Sequence, residues 1–214
     1  GPADHEIIRP VRNGLGRGAR VVVPYASRLA RLPAYLQQLE MESNGKGVTA
    51  AGDPVSQSTA SVVFGDAGTN TQHAFFQLLH QGTDIVPADI VAVAASDEGP
   101  PGAHAKLLAN AIAQAEALMV GDPWAVDPQH RFPGDRPTSF ILLDRLDPKR
   151  LGALLALYEH KTFVEGVLWG VNSFDQWGVN LGKTLARQVL GELQGGPPAE
   201  HDPSTSALIA RLRS

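Results

Sequence analysis

Four short apolar runs, each followed by a stretch of helical periodicity, limit what this chain can fold into. Residues 20–26 read Arg-Val-Val-Val-Pro-Tyr-Ala, and residues 61–65, 89–95 and 138–143 repeat the pattern of a brief β-branched or apolar run. Such runs are strands of about 4–8 residues rather than helices. They are apolar throughout instead of alternating, as in strands covered on both faces. Strand and helix taking turns implies βαβ units, hence a mainly parallel sheet between two helical layers. The expected fold is a three-layer α/β/α sandwich over residues 19–214. Residues 1–18, polar and glycine-rich, are read as a linker or an engineered N-terminal segment.

The intervening segments carry helix signals. Ser27 is placed to cap a helix whose Leu29, Leu32, Leu36 and Leu39 recur at three and four spacing, with Pro33 tolerated in the first turns and Gly45 as a stop. Residues 47–59 read as a hairpin or excursion around Gly52-Asp53-Pro54. Thr69-Asn70-Thr71-Gln72 has the spacing of a capping box and predicts one helix running to Gly82. Residues 102–120 form a long Ala/Leu helix closed by Gly121, and Asp147-Pro148 opens another. Gly195-Gly196-Pro197-Pro198 breaks the chain before a short amphipathic tail helix over 204–213.

Composition removes several classes of function. The 214 residues are 43% hydrophobic, enough for a full core, and carry a net charge of −4 without the clustered Lys and Arg of a nucleic-acid surface. There is no cysteine, so disulfides and thiolate metal sites are excluded. No apolar run approaches the roughly 20 residues of a membrane span, and no signal peptide opens the chain, which implies a cytoplasmic protein. The start Gly1-Pro2-Ala3-Asp4, without an initiator Met, is read as a processed end and so as part of a longer protein.

Three constellations carry chemistry. In residues 37–46, Gln38 and Glu42 lie four apart on one helix face, with Glu40 turned outward. Glu42 sits near a helix C-terminus, where the dipole disfavours its charged form and suits a base. His73 falls in the expected first turn of a helix, where an imidazole stays neutral and can pass a proton. In residues 166–183 an apolar element runs through a polar corner into a further helix. If that helix begins near Asp175, Gln176 and Lys183 share a stripe two turns apart. Taken alone, each residue reads more readily as a solvated or locally bonded surface group than as a functional one. His5, His80, His130 and His201 are scattered and read as solvated, and His104 is given no chemistry. Glu159 and His160 have no second ligand pair at metal-site spacing, and no phosphate-binding glycine loop is present, so no metal and no cofactor is expected.

A resemblance raises the functional readings. Residues 166–183 reproduce Gly-x-Leu-Trp, four residues, then Phe-Asp-Gln-x-Gly-Val-x-x-x-Lys, which resembles a signature of the glucose-6-phosphate isomerase (phosphoglucose isomerase) family. Asn180 departs from the usual Glu, Gln, Ser or Thr. Met41-Glu42-Ser43-Asn44-Gly45-Lys46 is similar to the family's segment carrying its catalytic glutamate, Glu40 standing where Asp or Asn is usual. Gly68 to His73 resembles a third family string, with Thr71 replacing a Gly and expected to reshape the turn. The strings at His104 to Lys106 and Tyr158 to Lys161 match the family as well.

The resemblance implies an aldose-ketose isomerase that interconverts glucose 6-phosphate and fructose 6-phosphate through an enediolate, with no cofactor. It implies Glu42 as the base, His73 and Lys183 in ring opening, and Gln38 and Gln176 holding the substrate. His73 would act in a neighbouring subunit's site, hence a homodimer. The chain would be the C-terminal, second sugar-isomerase-type subdomain. The phosphate-binding Ser/Thr loop and an enediolate-stabilising arginine would then lie in a missing N-terminal subdomain, leaving the isolated chain inactive. A non-catalytic sugar-phosphate-binding regulatory domain of the same fold is the alternative, and a structural α/β domain a third.

Overall fold

The computed structural model describes residues 11–96 and 99–213. They fall into two compact units, one running to Phe174 and the other beginning at Asp175.

The first unit is built on a parallel sheet of four strands, β1 (Ala19–Tyr25), β2 (Val62–Phe64), β3 (Ala88–Ala95) and β4 (Thr138–Arg145), in the order β2-β1-β3-β4. It carries α1 (Val11–Gly14), α2 (Leu32–Leu36), α3 (Gly68–Gln72), α4 (Phe76–Gln81), α5 (Ala103–Val120) and α6 (Pro148–Trp169). Crossovers between parallel strands are right-handed. The step from β1 to β2 runs opposite to the steps that follow, so it places α2 on one face while α4 and α5 cover the other. Alternate strand residues serve the two layers. Val21, Val23, Tyr25, Ile90 and Ala92 pack with Phe76, Leu79, Ala111 and Leu118, whereas Val22, Val63 and Val91 pack with Leu29, Leu36, Leu154 and Tyr158. This is the three-layer α/β sandwich that the strand-helix alternation implies.

The edge strand departs from two-sided burial. Ile141 and Leu143 of β4 pack in the layer of α2 and α6, but Phe140 and Leu142 on its other face stay exposed. Beyond its N-terminal residues, α5 covers only part of that face, leaving a cavity of about 640 Å³ between Ile112, Met119 and Phe140.

Several local expectations are corrected. Ser27 opens a 3₁₀ turn, Ser27–Leu29, with no side-chain cap. The leucine-periodic helix is α2 followed directly by a π-helical segment, Gln37–Glu42. The capping box does not form: α3 begins at Gly68 with Ala67 in the cap position, and the expected single helix breaks at His73–Phe75 before α4. The Thr71 hydroxyl bonds back to the Gly68 carbonyl at 2.6 Å, a local partner that competes with helix continuation. Phe75 turns edge-on to Phe64 at 5.2 Å. Where the signals are covalent in origin they hold. Asp147 caps α6 by accepting from the Arg150 N–H at 2.9 Å, with Pro148 in the first turn. That helix ends at Gly170 in the left-handed conformation (φ 67°).

Residues 11–18 are fastened to the domain. Arg12 Nε donates to the Thr59 carbonyl at 3.1 Å and Asn13 Nδ2 to that of Ser58 at 2.7 Å. Residues 1–10, and with them His5, lie outside the described residues.

The second unit holds α7 (Asn180–Leu193) and α8 (Pro203–Arg213) on either side of the Gly-Pro break. Its polar centre is Glu192, whose carboxylate accepts from the Ala199 N–H at 2.8 Å and lies 2.8 Å from His201 Nε2. His201 is thus buried, not solvated: a histidine packed beside a carboxylate has a partner that water would otherwise supply. His80 is half-buried too, between the rings of Phe76 and Phe132.

Two predictions follow from this packing. Leu118 is 1% exposed and Val126 96%. Leu118→Ala is expected to destabilise by about 2–5 kcal/mol in denaturant titration, and Val126→Ala by less than about 0.5 kcal/mol. The Ala199 N–H, and then His201, hold the Glu192 carboxyl below its ordinary range. A lowered folded-state pKa contributes stability above the unfolded value and loses it as pH falls through the folded one. Acid titration followed by hydrogen exchange should therefore loosen the α7–α8 connection in that window, and Glu192→Gln should remove the pH dependence.

Candidate active site

The π-helical segment Gln37–Glu42 is the core of the candidate site. A π segment inside a helix widens the turn and recurs at functional positions. Here it presents Gln38 and Glu42 outward, and both line one cavity of about 240 Å³ with Tyr35, Leu39, Ser43 and Phe174.

Met41, Asn44 and Lys46 of the Met-Glu-Ser-Asn-Gly-Lys string fix that turn. Met41 Sδ accepts from the Val63 N–H of β2 at 3.3 Å. Lys46 Nζ donates to the Glu42 carbonyl at 3.3 Å and to that of Ser43, satisfying carbonyls that a helix end leaves open. Asn44, buried, donates from Nδ2 to the Thr162 carbonyl of α6 at 2.7 Å and accepts from Ser173 Oγ at 2.5 Å. A side chain on Gly166 would overlap Ser173 Oγ and press on Asn44 Oδ1, so the glycine lets the corner after α6 fold back. That corner carries Phe174, itself in the left-handed conformation (φ 62°), to the wall of the cavity. Two motifs distant in sequence therefore meet at Asn44.

Glu40 is not outward, as the spacing suggested, but 4% exposed. Its carboxylate pairs with Arg20 of β1 and, at 3.0 Å, with Lys161 of α6. Arg20 also pairs with Asp89 of β3 and lies over the Tyr158 ring at 5.5 Å, while the Tyr158 hydroxyl donates to Asp89 at 3.2 Å. Burial alone would lower the Arg20 pKa, but the Glu40 and Asp89 carboxylates outweigh it and the net shift is upward. Burial, then Asp89, pushes the Tyr158 phenol up. These charges were missed in the sequence. The signal lay in Arg20 and Asp89, each the second residue of a strand otherwise apolar, where a charge requires a partner.

His73 lies elsewhere than expected. It is the C-cap of α3, exposed, not a first-turn residue, because the helix ends at Gln72. The element before it is well held. Gln72 Nε2 donates to the Tyr25 hydroxyl at 2.9 Å, and a Cβ on Gly68 would run into the Tyr25 ring. Thr71 is buried with its hydroxyl satisfied inside the turn.

Gln176 and Lys183 do not share a helical stripe. The helix starts at Asn180, after the turn at Gly178-Val179, because Asp175 caps the loop instead by accepting from the Gln176 N–H at 2.8 Å. Gln176 is a loop residue whose Oε1 has no hydrogen-bond partner among the described residues. Lys183 is exposed on the first turn of α7, its N–H on the Val179 carbonyl at 3.1 Å. Gln38 and Glu42 are thus brought together in the first unit, and Gln176 and Lys183 belong to the second.

A cavity of about 640 Å³ at the carboxyl ends of β1, β3 and β4 contains none of these residues. His104, on its wall, contacts the Ala94 carbonyl through Nε2 at 3.1 Å, tying α5 to β3. Among the described residues no three His, Asp or Glu side chains gather as a metal site, and no helix is long and apolar enough to cross a membrane.

The phosphoglucose isomerase family model matches residues 11–209. The chain belongs to the phosphoglucose isomerase family. It is 58% identical to the glucose-6-phosphate isomerase of Caulobacter vibrioides over 220 aligned positions, covering 94% of this chain and 41% of that protein. With the Deinococcus radiodurans glucose-6-phosphate isomerase it shares 52% identity over 93% of this chain and 39% of that protein. The crystal structure of a glucose-6-phosphate isomerase from Chlamydia trachomatis superposes with a TM-score of 0.80 at 41% identity, over 94% of this chain and 38% of that one. The chain thus spans about 40% of the length of these phosphoglucose isomerase relatives.

The family strings acquire structural reasons. In Tyr158 to Lys161, Tyr158 and Lys161 serve the buried charges, and Glu159 accepts from the Tyr35 hydroxyl at 3.0 Å beside the cavity. Gly166→Ala should destabilise the chain by about 1–3 kcal/mol in chemical denaturation, the range for overpacking, although alanine favours a helix. An unchanged midpoint would show that the Ser173–Asn44 contact has slack.

Proposed function

We propose that the full-length protein interconverts glucose 6-phosphate and fructose 6-phosphate, and that this chain supplies its base. The observation that carries the reading is Glu42 and Gln38 opening on one cavity from a turn anchored on three sides, in a chain of this family.

Glu42 takes the proton from C2 of the opened aldose, leaving a cis-enediolate, and returns it to C1 to give the ketose. One carboxylate suffices because both carbons present the same face. Its place at a helix end, with neighbouring carbonyls occupied by Lys46, leaves the carboxylate free to swing toward substrate. Gln38 and Gln176 hold sugar hydroxyls or the phosphate. His73 and Lys183 open and close the ring. His73 is exposed on its own unit, which suits a group that serves the partner's site in a homodimer. No cofactor enters, since the oxidation at one carbon balances the reduction at its neighbour. We place the chain at the C-terminal portion of a cytoplasmic enzyme, with phosphate and enediolate contacts supplied by an N-terminal subdomain.

In the full-length protein, Glu42→Gln should lower kcat by at least ~10²-fold, as removal of a general base does, with KM little changed. Exchange of the C2 proton with solvent should vanish. Exchange at the wild-type rate would sink the assignment. Mixing full-length His73→Ala and Glu42→Gln proteins should restore activity on subunit exchange, since a hybrid has one site free of both defects. No recovery, with exchange verified by native mass spectrometry, would put His73 in its own subunit's site. Alone, the 214-residue chain should melt cooperatively yet give no turnover with millimolar fructose 6-phosphate. It lacks the electrostatic stabilisation of the enediolate, worth about 3 kcal/mol or more.

A further inference from the structure

We propose that Glu40 is a positioning residue for the isomerisation, its buried carboxylate holding the π-helical segment so that Glu42 and Gln38 reach the sugar. The inference rests on the reading of Glu42 as the base.

Glu40 lies midway between Gln38 and Glu42. Two residues along a helix turn a side chain to roughly the opposite face. The segment is thus divided: Gln38 and Glu42 face the cavity, and Glu40 faces the protein. A π segment is the less regular part of a helix, so its placement depends on what grips it. Here the grip comes from two layers at once. Glu40 Oε1 meets Arg20 Nη2 from the sheet, and Glu40 Oε2 meets Lys161 Nζ at 3.0 Å from the α6 layer.

Both cations are themselves fixed. Arg20 is held by Asp89 and covered by the Tyr158 ring. Lys161 also pairs with Glu165, one turn along α6, at 2.9 Å. None of these groups lines the cavity of Glu42 and Gln38, so none touches substrate there. Bridging two fixed cations sets both the height and the rotation of the turn. A carboxylate meeting only one would set neither.

The experiment uses the full-length protein and compares Glu40→Gln, Lys161→Met, Lys161→Arg and the double variant Glu40→Gln/Lys161→Met with Glu42→Gln. Glu40→Gln and Lys161→Met should each lower kcat by about 10- to 100-fold, the scale of a 1 Å misplacement of a catalytic group. KM should stay within about twofold, because binding common to ground and transition states is kept. C2-proton exchange should fall in step with kcat, and Lys161→Arg should recover most of it. Because both variants break the Glu40–Lys161 pair, the double variant should be no slower than the slower single one.

Measurements are made well below each variant's melting temperature, so that lost stability alone leaves kcat unmoved. Glu40→Gln takes one of two carboxylate partners from the buried Arg20; should it not fold, Lys161→Met, whose side chain is one-third exposed, carries the test. Folded variants with wild-type kcat would overturn the proposal, as would singles whose losses multiply in the double. If Glu42→Gln is inactive while these variants are fast, the positioning role alone fails. If Glu42→Gln itself turns over normally, the base assignment fails first.

Discussion

A carboxylate withdrawn from water between a sheet and a helix persists only where cations meet it, and Glu40 is met by two. Unpaired, a buried charge is costly enough to neutralise or to open the fold. The Arg20–Glu40–Lys161 arrangement therefore has to form whenever the layers close. By forming, it links β1, α6 and the turn between them. Asp89 and Tyr158 extend it to β3. The candidate base then inherits its position from charges that do not face its own cavity.

Glu40, and with it the turn that carries Glu42, lies at the opposite end of the sheet from the place open α/β folds usually use. Strand order reverses between β1 and β3, and ligands in such folds bind outside the carboxyl ends at that switch point. A cavity lies there, beside Tyr25, Val93 and Arg145. The Glu40 charges instead involve Arg20 and Asp89, at the starting ends of β1 and β3. Because α2 runs back along β1 before entering the π segment, it returns the chain to that starting edge. Two of the family strings meet at Asn44, Gly166 and Ser173. Fold alone would direct attention to the carboxyl-end cavity; the family's Met-Glu-Ser-Asn-Gly-Lys string directs it to the one lined by Gln38 and Glu42.

Fold class was legible from the chain. Apolar strands such as 20–26 and 89–95 leave no solvated face, and helices between them fix parallel pairing with crossovers of one hand. Terminal signals rooted in covalent geometry held as well: Asp147-Pro148 at the start of α6 and Gly121 at the end of α5. The spacing of Gln38 and Glu42 placed them together because four residues along an α- or π-helix come round to nearly the same side.

What failed had a common cause. Residues 69–72 have capping-box spacing, but the Tyr25 ring and the Thr71 hydroxyl set α3 to begin at Gly68 and end before His73. Gln176 and Lys183 suit one stripe, but Asp175 caps a loop instead. Glu40 read as solvated because charge favours water until a cation from another layer is supplied. The sequence by itself determined the alternation of strands and helices and put Gln38 and Glu42 on one face, since periodicity and backbone chemistry act over a few neighbours. Tertiary structure decided where α3 ends and α7 begins, and which charges are buried. Those choices depend on partners, such as Arg20 and Lys161 for Glu40, that are 20 and 121 residues away along the chain.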